Sequence, residues 1–215
     1  MITSTSLSSA FELYKKSLLG ALPYSFITSL LIFLPKFAFI SILFWIGAII
    51  IMSALVFRLY CIANHIPHDG TLCLKQAFTT LIPLLFVLIL YTLIVLSGTM
   101  LLVLPGIIFS FSLLFSFILV ITSHTSVLQA LITSHRLVWG KWWHIALHIS
   151  FPFTINLIII ALALLLFIGL YLHQIISFSA LHYFILISNI VIQTLFIPFI
   201  FSLALVLLQS FYKIK

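Results

Sequence analysis

The sequence predicts an all-α polytopic membrane protein with six transmembrane helices and three interfacial amphipathic helices. Three observations carry that prediction. Of 215 residues, 65% are hydrophobic and 5% are charged, where a soluble chain carries roughly a quarter; so little polar surface cannot cover a folded chain in water. The nine Lys and Arg and the two Asp and Glu sit almost entirely at breaks between long apolar runs. Those runs, such as 81–96 and 158–168, are continuous, whereas strands of a membrane barrel alternate apolar with polar residues. In hydrocarbon every backbone N–H and C=O must be paired internally, so each run is a helix, and crossing takes about twenty residues.

An amphipathic helix is expected at about 9–18, where Ser9 and Glu12 have capping-box spacing. Leu7, Phe11, Tyr14 and Leu18 share one face of it, and Glu12 and Lys16 another. The apolar run that follows is too long for one span, and Pro35-Lys36 divides it into spans near 18–34 and 37–57. A polar loop with Asn64, His65, Pro67, His68, Asp69 and Gly70 leads to a second interfacial helix at about 72–80. Spans three and four are expected near 81–104 and 107–122, with the turn at Pro105-Gly106. The third interfacial helix covers 126–139, with Leu128, Leu131, Ile132, Val138 and Trp139 on its apolar face and Gln129, Thr133 and Arg136 opposite. Spans five and six follow near 143–170 and 180–208. The whole chain, 1–215, reads as one integral membrane domain.

Basic residues set the orientation. Six spans place Lys15, Lys16, Arg58, Lys75, Arg136, Lys141, Lys213 and Lys215 on one side and Lys36 alone on the other, so both termini are expected in the cytoplasm. No basic region precedes the first apolar run and no small-residue cleavage site follows it, so a cleavable signal peptide is not expected. Each third of the chain repeats an interfacial helix plus two spans, and Ala10, Lys16 and Gly20 align with Ala130, Arg136 and Gly140 at an offset of 120.

Few side chains offer chemistry. Cys61, His65, His68, Asp69 and Cys73 are zinc-ligand types, but their spacing matches no common zinc module. His144 and His148, four apart after Trp142-Trp143, fit an interfacial aromatic belt. Glu12 and Asp69 are the sole carboxylates, which starves an acid–base pair or a nucleophile triad of its acid. No enzyme activity, metal, cofactor or nucleic-acid partner is therefore expected. Asn156, Asn189 and Gln193 lie within spans five and six. They act there either as hydrogen-bonding contacts between helices or as a polar path.

Leu104-Pro105-Gly106, followed by Ala130-Leu131, Ser134, Arg136-Leu137-Val138, Gly140 and Trp142-Trp143, resembles the YciC-like bacterial inner-membrane proteins. These are related to the membrane domain fused to some glycerophosphodiester phosphodiesterases. The resemblance implies a six-helix inner-membrane protein and supplies no catalytic residues. Two positions depart from it: His135 stands where a Trp is usual, and an acid usual before the Ala-Leu pair is replaced in the region of His124.

The leading functional expectation is a non-enzymatic inner-membrane protein whose basic interfacial helices engage membrane lipid or a membrane-protein partner through Lys15, Lys16, Arg136, Lys141, Trp142 and Trp143. The alternative is a small-molecule transporter or channel using Asn156, Asn189 and Gln193.

Overall fold

Apolar runs become helices, and several helices run on past the expected ends. The computed structural model describes residues 2–33, 38–123, 125–175 and 177–212. Among these the chain forms α1 (Ile2–Phe33), α2 (Ala38–Ala63), α3 (Gly70–Leu101), α4 (Val103–Ser112), α5 (Ser116–Ser123), α6 (Val127–Val138), α7 (Trp142–Leu172) and α8 (Phe178–Tyr212), with no strand. The expected turn at Pro35-Lys36, together with His124, Lys213 and Lys215, lies outside the described residues.

Among the described residues, five helical segments are long and apolar enough to cross a membrane: Ser41–Ala63, Gly70–Leu101, Val103–Ser123 (α4 and α5 together), Trp142–Leu172 and Ser179–Phe211. The expected spans 37–57, 81–104, 107–122, 143–170 and 180–208 lie largely on these five. The expected first span, 18–34, lies on α1, which is not among them. The inward stripe of α1 is small and hydroxylated: Ala10, Ser17, Ala21, Ser25 and Thr28 are all buried. Three of its hydroxyls bond to its own backbone, Ser17 donating to the Tyr14 carbonyl at 3.1 Å, Ser25 to the Ala21 carbonyl at 3.2 Å and Thr28 to the Tyr24 carbonyl at 2.8 Å. Small residues let helices approach closely, and the most extensive packing of α1 is against α8 and α2.

Two of the three expected interfacial helices are not separate elements. Segment 9–18 is the middle of α1, so Ser9 and Glu12 sit inside a helix rather than capping one. Segment 72–80 is the first part of α3. Each helix runs on through the residues that could have ended it, Gly20 and Pro23 in α1 and Pro83 in α3. The third, α6, is a distinct helix, but its inward face is Ala130, Leu131, Ser134 and Val138, while Leu128, Ile132 and Trp139 point outward. The Ser134 hydroxyl fixes this rotation by donating to the Ser112 carbonyl at 2.7 Å. That carbonyl is released where α4 ends, because the Ser116 N–H turns to Leu113 instead.

The expected turn at Pro105-Gly106 is displaced. The chain reverses at Leu102 in extended conformation (φ −160°, ψ 144°), and Pro105 and Gly106 belong to the start of α4. Proline is tolerated there because first-turn N–H groups lack helical acceptors anyway. Gly106 lets α4 close against α3: a Cβ at Gly106 would lie 2.8 Å from the Thr99 nitrogen, and one at Gly98 would lie 3.1 Å from the Gly106 Cα.

Helix α5 is the centre of the bundle, packed by α2, α3 and α6. Ile118, Leu119, Val120 and Ile121 are all buried in it, as an all-round apolar helix requires. Leu55, Leu59, Val87, Phe115, Leu203 and Leu205 complete the core around it. Helix α7 is peripheral. Its main neighbour is α8, and Leu157, Leu162, Leu165 and Leu166 are exposed along it. The repeat is partly visible: Ala10 and Ala130 are both fully buried and Lys16 and Arg136 both exposed, yet Gly20 lies within α1 while Gly140 (φ 80°) breaks the chain between α6 and α7.

Candidate functional site

Among the described residues, Lys16 and Lys141 both lie against the end of α8. Lys16 lines a small pocket of about 190 Å³ with Ser9, Glu12, His65 and Gln209. Lys15 is exposed, its Nζ 5.3 Å from the Phe11 ring centroid. Two residues beyond Gln209, the Phe211 ring lies 5.1 Å from Lys141 Nζ. Lys141 itself occupies the N-cap position of α7. Gly140 can adopt its positive φ without a Cβ clash, and this turns the chain from α6 into α7. Arg136 is exposed on the last turn of α6. Trp142 and Trp143 stack with centroids 4.0 Å apart, Trp142 packed on the core and Trp143 exposed. Of the six expected residues, Lys15 and Lys16 stand on α1 and Arg136, Lys141, Trp142 and Trp143 at the α6–α7 corner, and one of each group, Lys16 and Lys141, lies by the end of α8.

Arg58, which the sequence marks only as a topology charge, packs on α1 near the start of α3. Its guanidinium lies over the Tyr24 ring (5.7 Å to the centroid) and against Gly20, and its buried Nε has no hydrogen-bond partner. Asp69 caps α3: its carboxylate accepts from the Gly70 N–H at 2.7 Å and from the Thr71 hydroxyl at 2.8 Å. The Thr71 bond, then the Gly70 bond, with help from the Arg58 and His68 charges, hold its pKa below the ordinary carboxylate value. Cys61 and Cys73 are buried free thiols. Among the described residues, no three His, Cys, Asp or Glu side chains converge as metal ligands.

The histidine pair is intrahelical. His148 Nδ1 donates to the His144 carbonyl at 2.6 Å, with ring centroids 6.2 Å apart. The polar residues of α7 and α8 do not share one wall. Asn156 is buried in a cavity with Tyr14, Ile159, Ile192, Leu195, Phe196 and Phe199. Asn189 and Gln193 are not among its lining residues, and the Asn189 amide donates to the Ile185 carbonyl at 2.9 Å.

Sequence reasoning missed a cavity inside the bundle. It measures about 270 Å³ and is walled by α2, α3, α5, α7 and α8, with Val56, Leu84, Ile118, Ile149, Phe153 and Ala204 among its lining residues. Its single hydroxyl residue, Ser53, faces Thr80 Oγ1 at 3.4 Å.

Long apolar helices, long stretches without Asp, Glu, Lys or Arg (76–135 and 142–212), and exposed aliphatic side chains along α7 define a multi-pass helical membrane protein. In comparisons with known proteins, the chain matches no family model, no curated protein and no solved structure.

Proposed function

We propose that this chain is a non-enzymatic protein of a bacterial inner membrane that engages anionic lipid through its basic end, with both termini cytoplasmic. The observation that carries the reading is the α6–α7 corner, where Arg136 at the end of α6 and Lys141 at the N-cap of α7 lead into a stacked Trp pair at the start of an apolar helix. Amphipathic aromatic rings favour the headgroup level of a bilayer. Each Lys or Arg near an anionic surface adds about 1 kcal/mol of attraction. The outward stripe Leu128, Ile132 and Trp139 gives α6 an apolar face toward lipid. Catalysis draws no support, since Asp69 is occupied in capping α3 and leaves Glu12 as the other carboxylate. A polar transport path draws less support than lipid binding, because Asn189 bonds its own helix.

Purification from native membranes, followed by mass spectrometry of retained lipids, tests the reading. The combined substitution of Lys15, Lys16, Arg136 and Lys141 by Gln is expected to lower the ratio of anionic to zwitterionic lipid retained. An unchanged ratio in a folded variant rejects the role.

A further inference from the structure

We propose that the central apolar cavity holds one hydrocarbon chain of a bilayer phospholipid, admitted sideways between α4 and α7. The first support is size and chemistry. An apolar cavity of about 150 Å³ stays dry and binds benzene, and this one is about 270 Å³ with aliphatic and aromatic walls. A resident water needs two to four polar partners, and the only hydroxyl in the wall already faces Thr80.

The second support is a way in. A more open cavity of about 400 Å³ lies between α4 and α7 and shares Leu114, Ile149 and Phe153 with the central one. The two are therefore neighbours along one path. Four residues put hydroxyls on the outer cavity: Tyr91, Ser110, Ser150 and Thr154. Three of those are turned into the protein's own backbone. Tyr91 donates to the Ser110 carbonyl at 3.3 Å, Ser110 to Ile107 at 2.7 Å, and Thr154 to Ser150 at 2.9 Å. What remains facing the path is largely hydrocarbon. On its wall Leu157 is an exposed residue of α7, so the mouth opens toward lipid rather than water.

The third support is depth. Ile149 and Phe153 follow Lys141 by eight and twelve residues, about 12 and 18 Å along a helix. A lipid whose phosphate lies near Lys141 and Arg136 places its chain at that level. The phospholipid identity of the occupant thus rests on the lipid-binding reading of the basic end, while the hydrocarbon character of the site does not.

The test uses the full chain in vesicles containing a phosphatidylglycerol with a diazirine midway along one acyl chain, irradiated and mapped by peptide mass spectrometry. Adducts are expected on Ile118, Ile149 and Ala204 as well as on outward residues such as Leu162 and Leu165. Ala204→Trp, which fills the chamber, and Leu114→Trp, which blocks the junction, are each expected to lose the inner adducts and keep the outer ones. Retained outer adducts show that a variant is folded. Adducts confined to outward faces in the wild type overturn the proposal, and so do inner adducts undiminished in both variants. An isoprenoid lipid extracted at one per chain, with inner labelling absent, overturns it too. Repeating the labelling with a phosphatidylethanolamine probe separates the two readings. Equal inner labelling by both probes supports the chain site while removing headgroup selection; stronger labelling by phosphatidylglycerol supports both.

Discussion

Gly20 of α1 is the floor on which the Arg58 guanidinium of α2 rests. A Cβ at Gly20 would collide with that guanidinium, coming 2.6 Å from Cζ and 2.8 Å from Nε. Above it the cation faces the Tyr24 ring, and the Tyr24 hydroxyl in turn reaches toward Gly70 at the start of α3. One cation therefore ties α1, α2 and the α3 terminus together.

Gly20→Ala is predicted to push the guanidinium off Tyr24 and lower stability by about 1 kcal/mol, the scale of a lost cation–π contact. Because the colliding atoms end a flexible side chain, the loss depends on Arg58 being present. In an Arg58→Ala background, where the collision is gone, Gly20→Ala should be neutral or slightly stabilising through helix propensity. A double-mutant cycle of thermal unfolding in detergent measures the coupling. Equal effects of Gly20→Ala in both backgrounds would refute this packing.

The α3–α4 contact differs because the collision there is with backbone. A Cβ at Gly106 would stand 2.8 Å from the Thr99 nitrogen and 2.9 Å from its Cα, whereas a Cβ at Gly169 meets nothing within 4 Å. Gly106→Ala is predicted to destabilise by about 1–3 kcal/mol through overpacking, and Gly169→Ala to stabilise slightly or leave stability unchanged through helix propensity. Tm values of the two variants decide it; a smaller loss at Gly106 than at Gly169 sinks the argument.

Much of this fold was legible because apolar runs in a charge-poor chain have few alternatives to helix. The five spans from 37 onward were placed by that logic alone. What escaped was whether neighbouring segments would fuse. Ser9 and Glu12 look like a cap in isolation, yet nothing between them and Gly20 stops a helix begun at Ile2, and Gly20 itself is held inside α1 against Arg58. Gly140 has the same residue type at the equivalent place, but there φ is 80° and the helix ends. Which side of α6 meets protein was not legible either. An apolar stripe on an interfacial helix does not separate lipid-facing from protein-facing residues, while the free Ser112 carbonyl, a product of the α4–α5 break, selects the side carrying Ser134. The Lys, Arg and Trp residues could be picked out by charge and aromatic type, though not their placement in the fold. The central cavity could not, because a void exists only once five helices have been placed.

Asp69 makes stability depend on pH in a definite direction. Its folded pKa lies below the ordinary 3.8, so the folded chain binds a proton there less readily than the unfolded chain. The stabilising contribution is present above the unfolded value and is lost as pH falls through the lowered folded one. Thermal unfolding followed from neutral pH into that acidic range should show a decline that Asp69→Asn flattens. An identical profile in wild type and variant contradicts the assigned cap chemistry.

The α3–α4 turn has a composition that water does not tolerate. Met100, Leu101, Leu102, Val103 and Leu104 are 79, 79, 70, 66 and 68% exposed, and no Asp, Glu, Lys or Arg lies between Lys75 and Arg136. Apolar area costs about 25 cal/mol per Å² when wetted, and nothing polar at this tip offsets that. Helix α3 has 32 residues, about 48 Å of rise against a hydrocarbon thickness of about 30 Å. Its first turns, with Asp69 and Lys75, can therefore stand clear of hydrocarbon while its far end stays within it. The tip is predicted to remain inside the bilayer, away from bulk water. In a background with Cys61 and Cys73 replaced by Ala, the thiol introduced by Leu102→Cys should resist a membrane-impermeant maleimide applied to either face of intact membranes, yet react once the protein is denatured. The exposed loop position His65→Cys should react from one face throughout. Ready labelling at Leu102 from the face opposite His65 would show instead that the hairpin crosses fully into water.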